Sequence, residues 1–105
     1  MIATLQAEEV AEQHVAASLR ELGFTIIRSG ARAPVAELIE AWKARQRVVV
    51  RVNTTVSPAE PRPLTLQEEH ELRQRAKRAG GQAWEARVSV GPDLELIRLE
   101  WRPLE

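Results

Sequence analysis

The sequence contains no cysteine, which excludes disulfide bonds, cysteine metal ligands and a thiol nucleophile together. Its 15 basic and 15 acidic residues balance, so no overall charge draws the chain to nucleic acid or to an acidic membrane. No apolar run approaches the roughly 20 residues that span a bilayer, and the N-terminus has no basic segment before an apolar core. We therefore expect a soluble cytoplasmic protein that forms a single domain over residues 1–105.

A β-branched run at residues 47–54 has the composition of a strand in the core of a sheet. Side chains alternate between the two faces of a strand, so the valines at 48, 50 and 52 share one face. Arg51 and Asn53 point to the other face, in what should be the centre of the sheet. A buried polar group without a partner costs about 1–3 kcal/mol. What Arg51 and Asn53 contact is therefore the functional question.

Propensity, capping residues and alternation predict two helices and five strands in the order αβββαββ. The helices cover residues 4–22 and 66–79, and the second begins with a capping box of Thr65 and Glu68. The strands cover residues 24–28, 35–42, 47–54, 82–90 and 94–101. Residues 35–42 also fit a helix, but the short distance between Pro34 and the next strand favours a strand. The order predicts an α/β sandwich with a mixed central sheet.

The two helices should each bury an apolar stripe. The first stripe comprises Leu5, Val15, Leu19 and Leu22, and the second comprises Leu66, Leu72, Ala76 and Ala79. Glu12 falls on the first stripe. A carboxylate in such a position is kept either for an ion pair or for chemistry, and the residues alone leave both open.

The stretch from Ala11-Glu12-Gln13 through Gly23-Phe24 to Arg28-Ser29 resembles the opening of the archaeal-type Holliday junction resolvases and related small PD-(D/E)XK nucleases. Those proteins begin with a helical glutamate and a Leu-x-x-x-Gly-Phe-x-Val-x-Arg-Ser transition into a strand. Residues 76–83 are similar to their second helix, which ends in Gly-Gly before a strand. The resemblance covers roughly residues 7–90 and implies a restriction-endonuclease-like sandwich.

The resemblance also implies a site. In the family, three carboxylates hold Mg²⁺, which activates a water, and a lysine steadies the nucleophile. The helical glutamate matches Glu12, and the aspartate of the second strand matches Ala36 or, with a shift of one residue, Glu37, which keeps a carboxylate. The Glu-x-Lys of the third strand is replaced by Arg51-Val52-Asn53. Both a metal ligand and the catalytic ammonium are lost, so we expect no metal, no cofactor and no cleavage.

Arg51 would then stand near the metal position of active relatives. We expect its guanidinium to neutralise Glu12 and Glu37, or Glu40, through charge-assisted hydrogen bonds. The alternative is that Arg51 extends into solvent from an edge strand.

The leading interpretation is a catalytically degenerate nuclease-like domain that binds DNA or acts as a scaffold. The cations expected to contact DNA phosphates are Arg28, Arg32, Lys43, Arg45, Arg73, Arg75, Lys77 and Arg78. One alternative is an active Mg²⁺-dependent endonuclease with carboxylates relocated to Glu37 and Glu40.

Another alternative is a protein-interaction module or the inactive subunit of an assembly. The resemblance implies a homodimer, with the terminal hairpin or Trp101 as an apolar interface. Trp42, Trp84 and Trp101 are interpreted as core or interface anchors rather than as a base-stacking platform. His14 and His70 are isolated and do not indicate a zinc site.

Overall fold

The computed structural model describes residues 2–29, 38–60 and 62–104. Two helices and five strands follow one another as α1 (Ile2–Glu21), β1 (Thr25–Ser29), β2 (Leu38–Lys43), β3 (Gln46–Val56), α2 (Leu66–Ala79), β4 (Gln82–Val90) and β5 (Leu96–Leu104). The predicted order αβββαββ is confirmed. The bounds of α2 and β4 agree with the prediction, whereas β3 and β5 extend further toward the C-terminus. The start of the predicted second strand, residues 35–37, lies outside the described residues.

The five strands form one sheet in sequence order, β1 to β5. Strands β3 and β4 are parallel, and the other three neighbouring pairs are antiparallel. A parallel pair needs a long crossover, and here α2 provides it. The predicted mixed sheet is therefore confirmed.

Each face of the sheet carries one helix. Helix α1 covers a large apolar cluster that includes Val48, Val50 and Val52 of β3. Helix α2 covers a smaller cluster that includes Val49. This division agrees with the alternation predicted for β3, and it places Arg51 and Asn53 on the face beneath α2.

The predicted helix stripes are only partly correct. Among the residues of α1 whose side chains the structure describes, 6–21, the fully buried ones are Ala7, Ala11, Val15 and Leu19, and the side chain of Leu5 lies outside that range. Leu22 follows the last residue of α1 and is exposed, and Leu66 at the first position of α2 is 86% exposed. Both leucines lie at helix ends, where the helical spacing no longer determines which face the sheet covers. Within the described ranges, neither helix is long and apolar enough to cross a membrane.

Candidate functional site

Arg51 extends from β3 toward the first turn of α2. Its Nη2 donates a hydrogen bond to Glu68 Oε2 at 3.1 Å. The other oxygen of Glu68 accepts from the backbone N–H of Thr65 at 2.8 Å, and the Glu68 N–H donates to Thr65 Oγ1 at 3.1 Å. The predicted capping box is thus confirmed. The hydrogen bond from the Thr65 backbone, reinforced by Arg51 against the effect of burial, holds the pKa of Glu68 below its ordinary value.

The expected ion pair between Arg51 and Glu12 is wrong. Glu12 belongs to α1, which packs on the opposite face of the sheet, and strand alternation directs Arg51 toward α2. Among the described residues Arg51 forms its hydrogen bond with Glu68 rather than with Glu40. Its side chain is only 20% exposed, so it does not extend into solvent either. Ala36 and Glu37 lie outside the described residues.

Glu12 is only partly buried, yet its Oε2 is inaccessible and has no hydrogen-bond partner among the described residues. Burial, with a smaller contribution from the Glu9 carboxylate, raises the pKa of Glu12. Among the described residues, Glu12 forms neither the expected ion pair with Arg51 nor part of a group of acidic side chains that could hold a metal ion.

Asn53 contacts a buried carboxylate that the sequence analysis does not single out. Its Nδ2 donates to Glu85 Oε2 at 2.9 Å and to the backbone carbonyl of Arg62 at 2.8 Å. Glu85, on β4, is 0% exposed. Its Oε1 accepts from Arg102 Nε at 2.8 Å and lies 3.2 Å from Arg87 Nε.

These contacts determine the charge state of Glu85. Burial works to raise its pKa, but hydrogen bonds from Asn53 and Arg102, together with the charge of Arg87, outweigh burial and hold the pKa below the ordinary value. The carboxylate is therefore ionised and paired inside the protein.

Arg102 connects this carboxylate to α2. Its Nη2 donates to Glu69 Oε2 at 2.7 Å, and the other oxygen of Glu69 accepts from Arg73 at 3.4 Å. Hydrogen bonds to Glu69 and Glu85 raise the pKa of Arg102. We call the resulting group the polar layer. It comprises Arg51, Asn53, Glu68, Glu69, Glu85, Arg87 and Arg102.

The polar layer does not fit a Mg²⁺ site. Each of its carboxylates is already paired with a guanidinium, and a guanidinium has no lone pair to offer a metal. Across the residues that the structure describes, no group of three histidine or acidic side chains is placed to hold a metal ion. The chemistry available here is electrostatic pairing and hydrogen bonding.

One signal in the sequence could have found Glu85. It lies between Trp84 and Ala86 in an alternating strand, so it must face the side opposite to their core cluster. The predicted sandwich covers both faces of the sheet with helices, so Glu85 lies beneath one of them whichever helix it is. A carboxylate beneath a helix requires cationic partners.

Four of the cations expected to contact DNA lie on α2 and in the adjoining β2–β3 turn, where Arg75 and Arg78 border one cleft, Lys77 another and Arg45 a third. Arg75, Lys77 and Arg78 are exposed on α2, and Arg45 is exposed in the turn between β2 and β3. Arg45 and Arg47 line one cleft with Ala79 and Gly80 at the end of α2, so the turn and the helix adjoin. We call this group the basic surface. It comprises Arg45, Arg47, Arg75, Lys77 and Arg78.

The other cations predicted to contact DNA either have partners within the protein or lie outside the described residues. Lys43 Nζ donates to the carbonyl of Leu22 at 2.7 Å and lies 5.8 Å from the centre of the Phe24 ring. Arg73 pairs with Glu69. The side chain of Arg28 and all of Arg32 lie outside the described residues.

The tryptophans divide into two kinds. Trp84 packs edge to face on Phe24 and on Trp101, with ring centres 5.7 Å apart in both pairs. The prediction of core anchors is confirmed for these two. Trp42 differs, because it is 44% exposed and lies outside both apolar clusters.

Comparison with known proteins supports the architecture. The Holliday junction resolvase Hjc of the archaeal hyperthermophile Archaeoglobus fulgidus matches 90% of this chain and 74% of its own, with a TM-score of 0.65 and 23% sequence identity. The chain thus has the fold of a Holliday junction resolvase. No protein-family model matches the sequence, and no curated protein matches it significantly. The restriction-endonuclease-like fold implied by the resemblance is confirmed.

Proposed function

We propose that this chain is a nuclease-fold domain that binds DNA and does not cut it. The proposal rests on one observation: Arg51 and Asn53 are hydrogen-bonded within the polar layer, to Glu68 and Glu85. Arg51 and Asn53 stand where the resemblance places the glutamate and lysine of an active nuclease. A guanidinium at the first position repels Mg²⁺. An amide at the second position is uncharged and cannot act as a general acid.

The basic surface supports the binding half of the proposal. Arg75, Lys77 and Arg78 are exposed on one helix, and Arg45 approaches the end of the same helix. Exposed guanidinium and ammonium groups contact phosphates without reading sequence. The fold shared with a Holliday junction resolvase makes a branched duplex the natural first ligand to test. The proposal requires no cofactor, and it includes a cytoplasmic location.

A binding assay at two salt concentrations tests this proposal. Fluorescence anisotropy of a labelled four-way junction and of a matched duplex should show affinity that falls steeply from 50 to 200 mM NaCl, because binding through phosphates releases counterions. Replacing Arg75, Lys77 and Arg78 together by glutamine should lower the slope of log affinity against log salt by about 3. Arg98→Gln is the matched control, because Arg98 is an exposed arginine on β5 and outside the basic surface. Salt-independent binding, or no binding at 50 mM NaCl, would refute the proposal.

An active nuclease is the second candidate function, and the environment of Glu12 favours it. A carboxylate with a raised pKa and a buried, unpartnered oxygen is typical of residues kept for chemistry. Incubating the junction with the protein in Mg²⁺ or Mn²⁺ separates the two candidates. We expect no cleavage. Cleavage by the wild type that Glu12→Gln abolishes would establish the second candidate instead.

We also propose that the domain acts as a homodimer. This follows from the resemblance, since two copies related by a two-fold axis would present two equal surfaces to a branched DNA. Light scattering at several protein concentrations measures the assembly directly. A mass that stays at one chain would remove the dimer, and would leave DNA binding by the monomer to be judged by the anisotropy assay.

A further inference from the structure

We propose that the cleft beside the β2–β3 turn binds unpaired nucleotides, with a base stacked on Trp42 and the flanking phosphates held by arginines. The inference rests on the proposed DNA binding and extends it from duplex phosphates to the kind of strand recognised. Trp42, Arg45, Gln46, Arg47 and Gly80 contribute to the cleft, which has a volume of about 390 Å³.

Trp42 has the exposure that a stacking residue needs. It is 44% exposed, whereas Trp84 and Trp101 pack against the core. It is the last but one residue of β2 and lies directly opposite Arg47 on β3. Directly opposed residues of antiparallel strands have Cβ atoms about 5 Å apart on the same face. Trp42 and Arg47 therefore leave the sheet on the same face, and both line the cleft.

The charge around the cleft favours a polyanion. Arg45 and Arg47 line the cleft, and none of the described residues that line it is acidic. Arg47 Nη1 reaches the carbonyl of Ala79 at 3.5 Å. The N–H groups of Gly80 and Gly81 already donate to carbonyls of the last turn of α2, at 3.1 and 2.8 Å. These contacts reduce the negative potential that a helix C-terminus would otherwise present to a phosphate.

The backbone holds the turn against the helix. A Cβ at Gly81 would collide with the carbonyl of Arg47, so glycine is what allows β3 to approach the end of α2 this closely. Ala44, in the turn itself, has φ of 54°, a left-handed conformation that a residue with a side chain seldom adopts. A two-residue hairpin turn requires a positive φ at its first position, so the connection of β2 to β3 accounts for this conformation.

Stacking on Trp42 selects for unpaired bases. A base inside a duplex has both of its faces covered by neighbours, so an indole reaches a base only in a single strand, at an end or at an opened junction. Phosphate contacts from Arg45 and Arg47 add affinity for any strand. The indole adds affinity only where a base face is free.

Anisotropy with labelled oligo(dT) and with a duplex of equal length tests the inference. Trp42→Ala should weaken binding to oligo(dT) by about ten-fold or more and leave duplex binding unchanged, whereas Trp42→Phe should keep most of the affinity. Leu66→Ala is the control for removal of an exposed apolar side chain, because Leu66 is also exposed and lies at the other end of α2. Circular dichroism establishes that each variant is folded.

Tryptophan fluorescence gives a second readout. Oligo(dT) should quench the emission of the exposed indole, and Trp42→Phe should lose this quenching while retaining Trp84 and Trp101. Equal affinity of Trp42→Ala and wild type for oligo(dT) would overturn the inference. Duplex binding without oligo(dT) binding would overturn it and leave the proposed function standing. Failure to bind either DNA at low salt would refute both.

Discussion

Removing the charge of Glu85 should cost much of the stability of this domain. Glu85→Gln keeps the shape of the side chain, but an amide has only one oxygen to accept hydrogen bonds. Asn53 and Arg102 each donate to a different oxygen of Glu85, so one of these donors would face the new NH₂ group. Arg87, 3.2 Å away, would lose its counter-charge.

The size of the effect follows from these losses. A hydrogen bond to a charged group contributes about 1.5–3 kcal/mol, and breaking a buried ion pair from one side costs about 3–5 kcal/mol. Arg102 retains its 2.7 Å bond to Glu69 and is partly exposed, which places the expected loss near the lower end, at about 3 kcal/mol. For a chain of 105 residues this corresponds to a fall in Tm on the order of 15 °C.

Urea denaturation of both proteins measures this loss, and its pH dependence identifies the cause. The folded-state pKa of Glu85 lies below the ordinary value of 4.5, so its contribution is fully present above 4.5. It is lost as the pH falls through the folded-state value. The stability difference between wild type and Glu85→Gln should therefore be constant from pH 6 to 8 and shrink in acid. Glu100→Gln, at an exposed glutamate on β5, should cost less than about 0.5 kcal/mol. A loss below about 1 kcal/mol for Glu85→Gln would refute the reasoning.

Two further substitutions test other parts of the fold. The pKa of Glu12 is raised, so its ionised form destabilises the folded state and stability falls as the pH rises above 4.5. Glu12→Gln should therefore unfold at equal or higher urea than wild type at pH 7, and the gain should vanish at pH 4; a less stable variant at pH 7 would contradict this. Gly81→Ala should destabilise the domain by about 1–3 kcal/mol, because the new methyl group collides with the Arg47 carbonyl, and a thermal melt unchanged from wild type would contradict the close approach.

The sequence predicts the architecture because each element carries its own local signal. The valines of β3 alternate with residues of a different kind, and the capping box of Thr65 and Glu68 marks the start of α2. These signals depend on neighbours within a few residues along the chain. They recover the element order and the face on which Arg51 and Asn53 lie.

The partners of Arg51 and Asn53 depend instead on which helix covers which face. The resemblance to nucleases predicts Glu12 as the partner of Arg51. Glu12 belongs to α1, however, and α1 packs on the valine face of β3. Glu68 lies 17 positions from Arg51 and Glu85 lies 32 positions from Asn53, on elements whose packing no local pattern specifies. Composition also does not predict which tryptophan is exposed. Trp42 is exposed because of its position at the end of β2, opposite Arg47.

The polar layer also limits which side chains positions 51 and 53 can accept. Arg51 is the register partner of Glu85 on the neighbouring parallel strand, and it is bonded to Glu68. A glutamate at position 51 would leave Glu68 unpaired and add a carboxylate beside two others in a mostly buried place, where like charges repel strongly. A lysine at position 53 would remove the amide that joins Glu85 to the backbone of Arg62. Each of these two substitutions should therefore destabilise the folded protein.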